Sequence, residues 1–214
     1  MRDQLELMLS LQEGVNSVID PNWRQRGNAW HRAIWMECAE ILEREADWKW
    51  WQAPARREHD EARQAHRRQQ QIELCDIWHF VLSWALQDRV PADHLLPPEK
   101  PAPLPDKPAA IEDMVAGAVN RDLAVLVTAF HAACPVYALD FDQLFLLYVG
   151  KNVVNRFRQD RGYRSGEYRK VFGGREDNEH LAEILAELSS TTGLDLPDKL
   201  YERLEQRYEQ FRET

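Results

Sequence analysis

The chain has 214 residues, 44% hydrophobic and 29% charged, so it can bury a full core without covalent staples and is not disordered throughout. Its formal net charge of −9, from 36 acids against 27 bases, argues against a protein whose main task is gripping nucleic-acid phosphates. The longest purely apolar run, Leu144 to Val149, is far shorter than a membrane span; with no signal-peptide shape at the N-terminus and an odd three cysteines, the expectation is a soluble cytoplasmic protein with reduced thiols.

Helical spacing dominates. Val, Ile and Thr together number only 24, and no stretch sustains period-two alternation. An all-α chain is expected, with helices near 2–19, 28–46, 60–89, 110–132, 138–161, 177–190 and 197–213. In the first, Leu5, Leu9, Gln12 and Asn16 form one stripe. Amides on an apolar face need partners. The partner is either another helix or a nucleobase edge, since each amide offers both a donor and an acceptor.

The second helix carries Trp30, Ile34, Glu37 and Ile41 on one arc. Glu37 and Glu40, spaced i and i+3, project the same way. At about 100° per residue Glu37 falls inside the apolar arc, where an ionised carboxylate is costly unless something pairs with it. After this helix comes Trp48-Lys49-Trp50-Trp51, which reads as core, dimer interface or stacking plate. The run Arg56 to Gln71 reads as a solvated charged extension, and His59 and His66 within it have nothing nearby to complete a metal-ligand set.

The third helix repeats the carboxylate pattern. Glu73 lies between Phe80 and Trp84 on the apolar arc, and Asp76 sits one step to the side. If the second and third helices pack together, four carboxylates converge, and they cannot all stay ionised without cations. Hard oxygen donors select Mg²⁺ or Mn²⁺, in a cage suited to a polyphosphate. The competing reading pairs each acid with an Arg or Lys across a helix interface. Cys38 and Cys75, inside the two motifs, read as small core fillers. Phe80 faces the core or a sugar, and His79 lies off the arc.

Seven of the eleven prolines fall between Pro91 and Pro108. This stretch reads as a semi-rigid linker between an N-terminal part, 1–90, and a C-terminal part, 109–214, of one intertwined domain. Beyond it, Lys151, Asn155 and Arg158 share one helical stripe, followed by Tyr163, Arg169 and Lys170. Lys151 to Lys170 holds seven bases and two acids, a local net of +5 that leaves −14 for the rest. Gly162 can close the helix in the left-handed conformation, and 162–166 and 173–174 are expected to be mobile loop. Such a segment closes over phosphate oxygens, or is a solvated basic face or a counter-charge that docks onto the acidic half.

The segments Trp30 to Glu40, Asp76-Ile77-Trp78-His79-Phe80, Tyr148 to Gln159, Gly162-Tyr163, Tyr168-Arg169-Lys170 and Gly173 to Asn178 together resemble the dimeric dUTPase family of the all-α nucleoside-triphosphate pyrophosphatases. The ExxE…ExxD pattern is shared across that superfamily, while the Lys-Asn…Asn…Phe-Arg-Gln…Gly-Tyr block within 148–178 is narrower. The resemblance implies a homodimeric helical bundle of the all-α NTP pyrophosphatase type that hydrolyses dUTP with Mg²⁺, with Mn²⁺ able to substitute. It implies neither a nucleic-acid nor a membrane partner. By motif position, Glu37, Glu40, Glu73 and Asp76 are implied metal ligands, with Glu37 or Glu40 the base. Gln12 and Asn16 are implied to read uracil with Trp48 or Trp51 stacking, and His79 and Phe80 to meet the deoxyribose. Lys151, Asn155, Arg158, Tyr163, Arg169 and Lys170 are implied to hold the phosphates. Attack at the β-phosphorus, and hence dUDP as a second substrate, follows from the same resemblance. A pyrophosphatase for dCTP or a modified nucleotide, and a non-catalytic helical dimer scaffold, are the alternatives.

Overall fold

The structure, a computed structural model, describes residues 1–45, 48–51, 60–99, 106–188 and 193–211, with the backbone alone for 60–63. His59 lies outside the described residues, as do 189–190 and 212–213 of the expected last two helices. Eight α-helices are present among the described residues: α1 Arg2–Ile19, α2 Trp30–Arg44, α3 Asp60–Asp88, α4 Lys107–Val119, α5 Leu123–Val136, α6 Phe141–Asp160, α7 Asp177–Glu187 and α8 Leu196–Gln210. A two-stranded hairpin, β1 Val171–Phe172 and β2 Arg175–Glu176, precedes α7. The architecture is all-α, as the spacing predicts. No single helix among the described residues is long and apolar enough to cross a membrane.

Two compact units divide the chain, Met1–Leu144 and Phe145–Thr214. The division falls inside α6 and not in the proline-rich stretch. Of that stretch, residues 100–105 lie outside the described residues, Ala92–Leu95 forms a 3₁₀ turn, and Pro108 stands in the first turn of α4. Proline is tolerated there because the first-turn N–H groups have no helical partner anyway. The Asp106 side chain caps this helix, accepting from Ala109 N at 2.8 Å.

In the first unit α3 packs against α1, α2 and α5, and α4 packs against α2 and α5. Ile34, Cys38 and Ile41 of α2 and Leu74, Cys75, Ile77, Trp78, Val81 and Leu82 of α3 are buried, so the predicted arcs face inward. The helix expected over 110–132 is two helices. Arg121 takes the left-handed conformation at φ 56° and ends α4, and Asp122 starts α5 by accepting from Val125 N at 3.0 Å. Gly117 lets the two backbones close up: a Cβ there would lie 2.7 Å from Leu126 N.

In the second unit Gly162 ends α6 at φ 81°, with Tyr163 N donating to Arg158 O at 2.9 Å. Gly173 and Gly174, expected to be mobile loop, form the turn of the hairpin instead. Both have positive φ, the conformation that a type I′ two-residue hairpin turn requires. Phe157, Tyr168, Phe172, His180 and Tyr208 build a buried aromatic cluster beside it.

Candidate functional site

The carboxylate pairs come from the packing of α2 against α3. Glu37, Glu73 and Asp76 bring one oxygen each within 4.8 Å of one another. Glu73 is buried, and Glu37 and Asp76 are half-buried. Burial first, and then the charges of Asp76, Glu40 and Glu73, push the Glu37 carboxyl up to about 7. Glu73 Oε1 accepts from Gln69 Nε2 at 2.7 Å and meets Arg44 Nη2 at 3.4 Å. The competing reading is thus met at Glu73, by Arg44, while burial and the neighbouring acids still raise Glu37. The donor set, hard oxygens in a space of cation size, fits a divalent metal of the Mg²⁺ type.

Glu40 is not one of the three. It is exposed, in a cleft of about 440 Å³ that Met36, Ala39, Glu43 and Arg44 also line. Its spacing from Glu37 puts it on the same side of α2, one turn further along, so it acts on Glu37 through charge alone.

Gln12, Asn16 and His79 come together, through a residue the sequence reading passed over. Gln12 Nε2 donates to Asn16 Oδ1 at 3.1 Å and to Ser83 Oγ at 2.9 Å. Asn16 Nδ2 donates to Ser83 Oγ at 3.0 Å. His79 Nδ1 lies 2.8 Å from Gln12 Oε1, and Ser83 Oγ donates to His79 O at 2.9 Å. Gln12, Asn16 and Ser83 are buried. The signal for Ser83 was the pair of buried amides itself, which needed a polar partner on a neighbouring helix.

Phe80 is half-buried and stacks on Trp30, with ring centroids 6.3 Å apart. Trp48 and Trp51 are largely exposed and pack edge to face on each other at 5.5 Å. Trp48 Nε1 is held by Leu42 O at 2.8 Å. Trp30, read from the sequence as a core residue, is therefore the ring that accompanies Phe80.

The basic set belongs to the second unit and is partly engaged within it. Arg158 binds the buried Asp177 with two bonds, Nε to Oδ2 at 2.7 Å and Nη2 to Oδ1 at 2.9 Å. Arg158 Nη1 also lies 3.4 Å from Asn155 Oδ1. Tyr168 Oη donates to Asp177 Oδ2 at 2.8 Å. Burial alone would raise the Asp177 carboxyl, but the bonds from Arg158 and Tyr168 outweigh it and hold the group below the usual carboxylate range. Lys170 pairs with Glu176 at 2.8 Å, both exposed. Tyr163 is exposed, Lys151 is half-buried on α6, and Arg169 lines a cleft of about 510 Å³ with Arg161, Glu167 and Tyr208. Arg158 is thus a fork oriented by Asp177, which the sequence reading had assigned only to the start of a helix.

No curated protein matches the chain. A family model described as dUTPase matches residues 4–163, which include the three clustered carboxylates and the Gln12–Asn16–His79–Ser83 network.

Proposed function

Because the chain belongs to the dimeric all-α dUTPase family, we propose that it is a Mg²⁺-dependent dUTP diphosphatase that converts dUTP, and also dUDP, to dUMP. The family accounts for the class, a hydrolase of phosphoric anhydrides that acts on dUTP. The observation that carries the metal dependence is the convergence of Glu37, Glu73 and Asp76 within 4.8 Å, with the Glu37 carboxyl raised to about 7. Glu37, Glu73 and Asp76, completed by Glu40, would hold the ion. When bound, Mg²⁺ offsets phosphate charge and lowers the pKa of a coordinated water.

The remaining roles fall to this chain's own groups. Glu37 or Glu40 accepts the proton that the attacking water loses. Gln12 and Asn16 face the uracil, His79 and Phe80 face the deoxyribose, and Trp48 or Trp51 supplies a stacking plate. Lys151, Asn155, Arg158, Tyr163, Arg169 and Lys170 hold the phosphates, with Arg158 preset as a fork by Asp177. The enzyme works as a homodimer in the cytoplasm. The exposed apolar side chains of Met36, Trp50 and Trp51 support a covering partner, and the buried thiols Cys38, Cys75 and Cys134, none in a disulfide, agree with a reducing compartment.

The deciding measurement is pyrophosphate release from dUTP with and without Mg²⁺, with dCTP, dTTP and UTP as competitors. Release that requires Mg²⁺ and prefers dUTP is expected. Equal turnover of dCTP, or release unaffected by chelation, would overturn the reading.

A second expectation concerns pH. In the metal-free protein the folded state keeps a proton on Glu37 that the unfolded chain has lost, between the ordinary value of 4.5 and about 7. Over that window the folded state binds more protons, so stability falls as pH rises, by at most about 3 kcal/mol and less because the carboxyl is part-exposed. Mg²⁺ must displace this proton, so its stabilisation should grow over the same interval. Thermal midpoints at pH 5 and pH 8, with and without Mg²⁺, check both signs. A Mg²⁺ shift that is the same at the two pH values would contradict the assignment of Glu37.

A further inference from the structure

Two amides alone do not choose uracil over cytosine. An Asn or Gln side chain rotated by half a turn exchanges its donor and acceptor, and the two bases differ in that same exchange. Uracil offers a donor at N3 beside carbonyl acceptors, while cytosine offers an acceptor at N3 beside an amino donor. Something must fix which way the amides face.

We infer that Ser83 is the positioning residue that does so, and that its hydroxyl thereby sets the preference for uracil. The inference rests on the dUTP reading given above. The argument is one of hydrogen counting. A serine hydroxyl has a single hydrogen and two lone pairs. In α3 that hydrogen goes to the carbonyl of His79, one turn back, at 2.9 Å. Only acceptor capacity is then left, and it is filled by Gln12 Nε2 at 2.9 Å and Asn16 Nδ2 at 3.0 Å. Rotating both amides would set two carbonyl oxygens and the His79 carbonyl around one hydroxyl hydrogen. That hydrogen can serve only one of the two amide oxygens, and must leave the His79 carbonyl to do so; the other oxygen is then held at hydrogen-bond distance from a hydroxyl lone pair, at a site where Ser83 is fully buried. The other bonds agree. With Nε2 turned to Ser83 and Asn16, Gln12 presents Oε1 to His79 Nδ1 at 2.8 Å, which makes that ring nitrogen the protonated one. Asn16 Oδ1 accepts from Gln12 at 3.1 Å. Asn16 keeps one amide hydrogen and one carbonyl lone pair in a fixed order: an acceptor for N3–H and a donor for a uracil carbonyl. Cytosine needs the reverse order, and the reverse order needs the rotation that the Ser83 hydroxyl disfavours.

The test compares kcat/KM for dUTP and dCTP, and the Kd of dUMP and dCMP, in the full-length wild type, Ser83→Ala and Ser83→Thr. Removing the hydroxyl frees the amides, so Ser83→Ala should lower the dUTP:dCTP ratio about 10- to 100-fold, the range of one well-made base contact. The monophosphate binding ratio should fall in parallel. Ser83→Thr keeps the hydroxyl and should retain the wild-type ratio. A merely structural serine would lower both substrates together. An unchanged ratio in folded Ser83→Ala, or a collapsed ratio in folded Ser83→Thr, would therefore overturn the inference while leaving the dUTPase reading standing. A wild type that does not prefer dUTP would overturn both.

Discussion

Replacing Glu73 with Gln is expected to lower dUTP turnover about a thousandfold, roughly 4 kcal/mol of lost transition-state stabilisation, while the circular dichroism spectrum stays as in the wild type. Glu73 is the most buried of the three clustered carboxylates, at 5% exposure, and one of its oxygens lies within 4.8 Å of oxygens of both Glu37 and Asp76. The change is isosteric. A Gln oxygen can still accept from Gln69, so the packing of α2 on α3 is kept. What disappears is a charge, and with it a ligand for the cation. Glu73 is also one of the acids that raise Glu37, so the metal-free variant should titrate Glu37 below the wild-type value. Saturating Mg²⁺ should not restore the rate. If it does, Glu73 is not a ligand.

The second large effect is expected far along the chain. Asp177→Ala should destabilise the second unit by roughly 3–5 kcal/mol, because it leaves the Arg158 guanidinium without its bidentate partner in a largely enclosed position. The Tyr168 hydroxyl loses its acceptor in the same step. Denaturant unfolding followed by circular dichroism measures the loss. A change below about 1 kcal/mol would mean that the pair is worth no more than a surface ion pair. The linkage sign also follows. The Asp177 carboxyl lies below its ordinary value in the fold, so its contribution is present above the usual carboxylate range and is lost as pH falls.

The helices of the first unit were legible in the sequence because their apolar residues recur at helical spacing. Glu37 and Glu73 stood out because they interrupt those arcs with charge. The break at Asn120 to Asp122 was not legible, because it depends on Arg121 adopting a left-handed conformation that arginine rarely takes. The hairpin was hidden for another reason: strands of two residues leave no alternation to detect. Ser83 was overlooked because a serine in an apolar helix usually just bonds the carbonyl one turn back, which it does here as well. Its second role exists only once α1 lies against α3. Asp177 was missed likewise, since an acid at a helix start explains itself locally and gives no hint of Arg158, nineteen residues earlier.

The three thiols also have a kinetic use. Cys38, Cys75 and Cys134 are buried thiols outside any disulfide, and burial pushes the Cys38 thiol up to about 12 and Cys134 higher still. A thiol reagent attacks the thiolate, so the folded protein should label very slowly, and each labelling event marks an opening of the surrounding structure. All three lie within Met1–Leu144, and the chain has no other cysteine. Labelling is therefore a clock for the first unit alone, blind to the second. Set beside a probe that reads the whole chain, it tells whether the carboxylate-bearing helices open together with the Arg158–Asp177 region or on a schedule of their own.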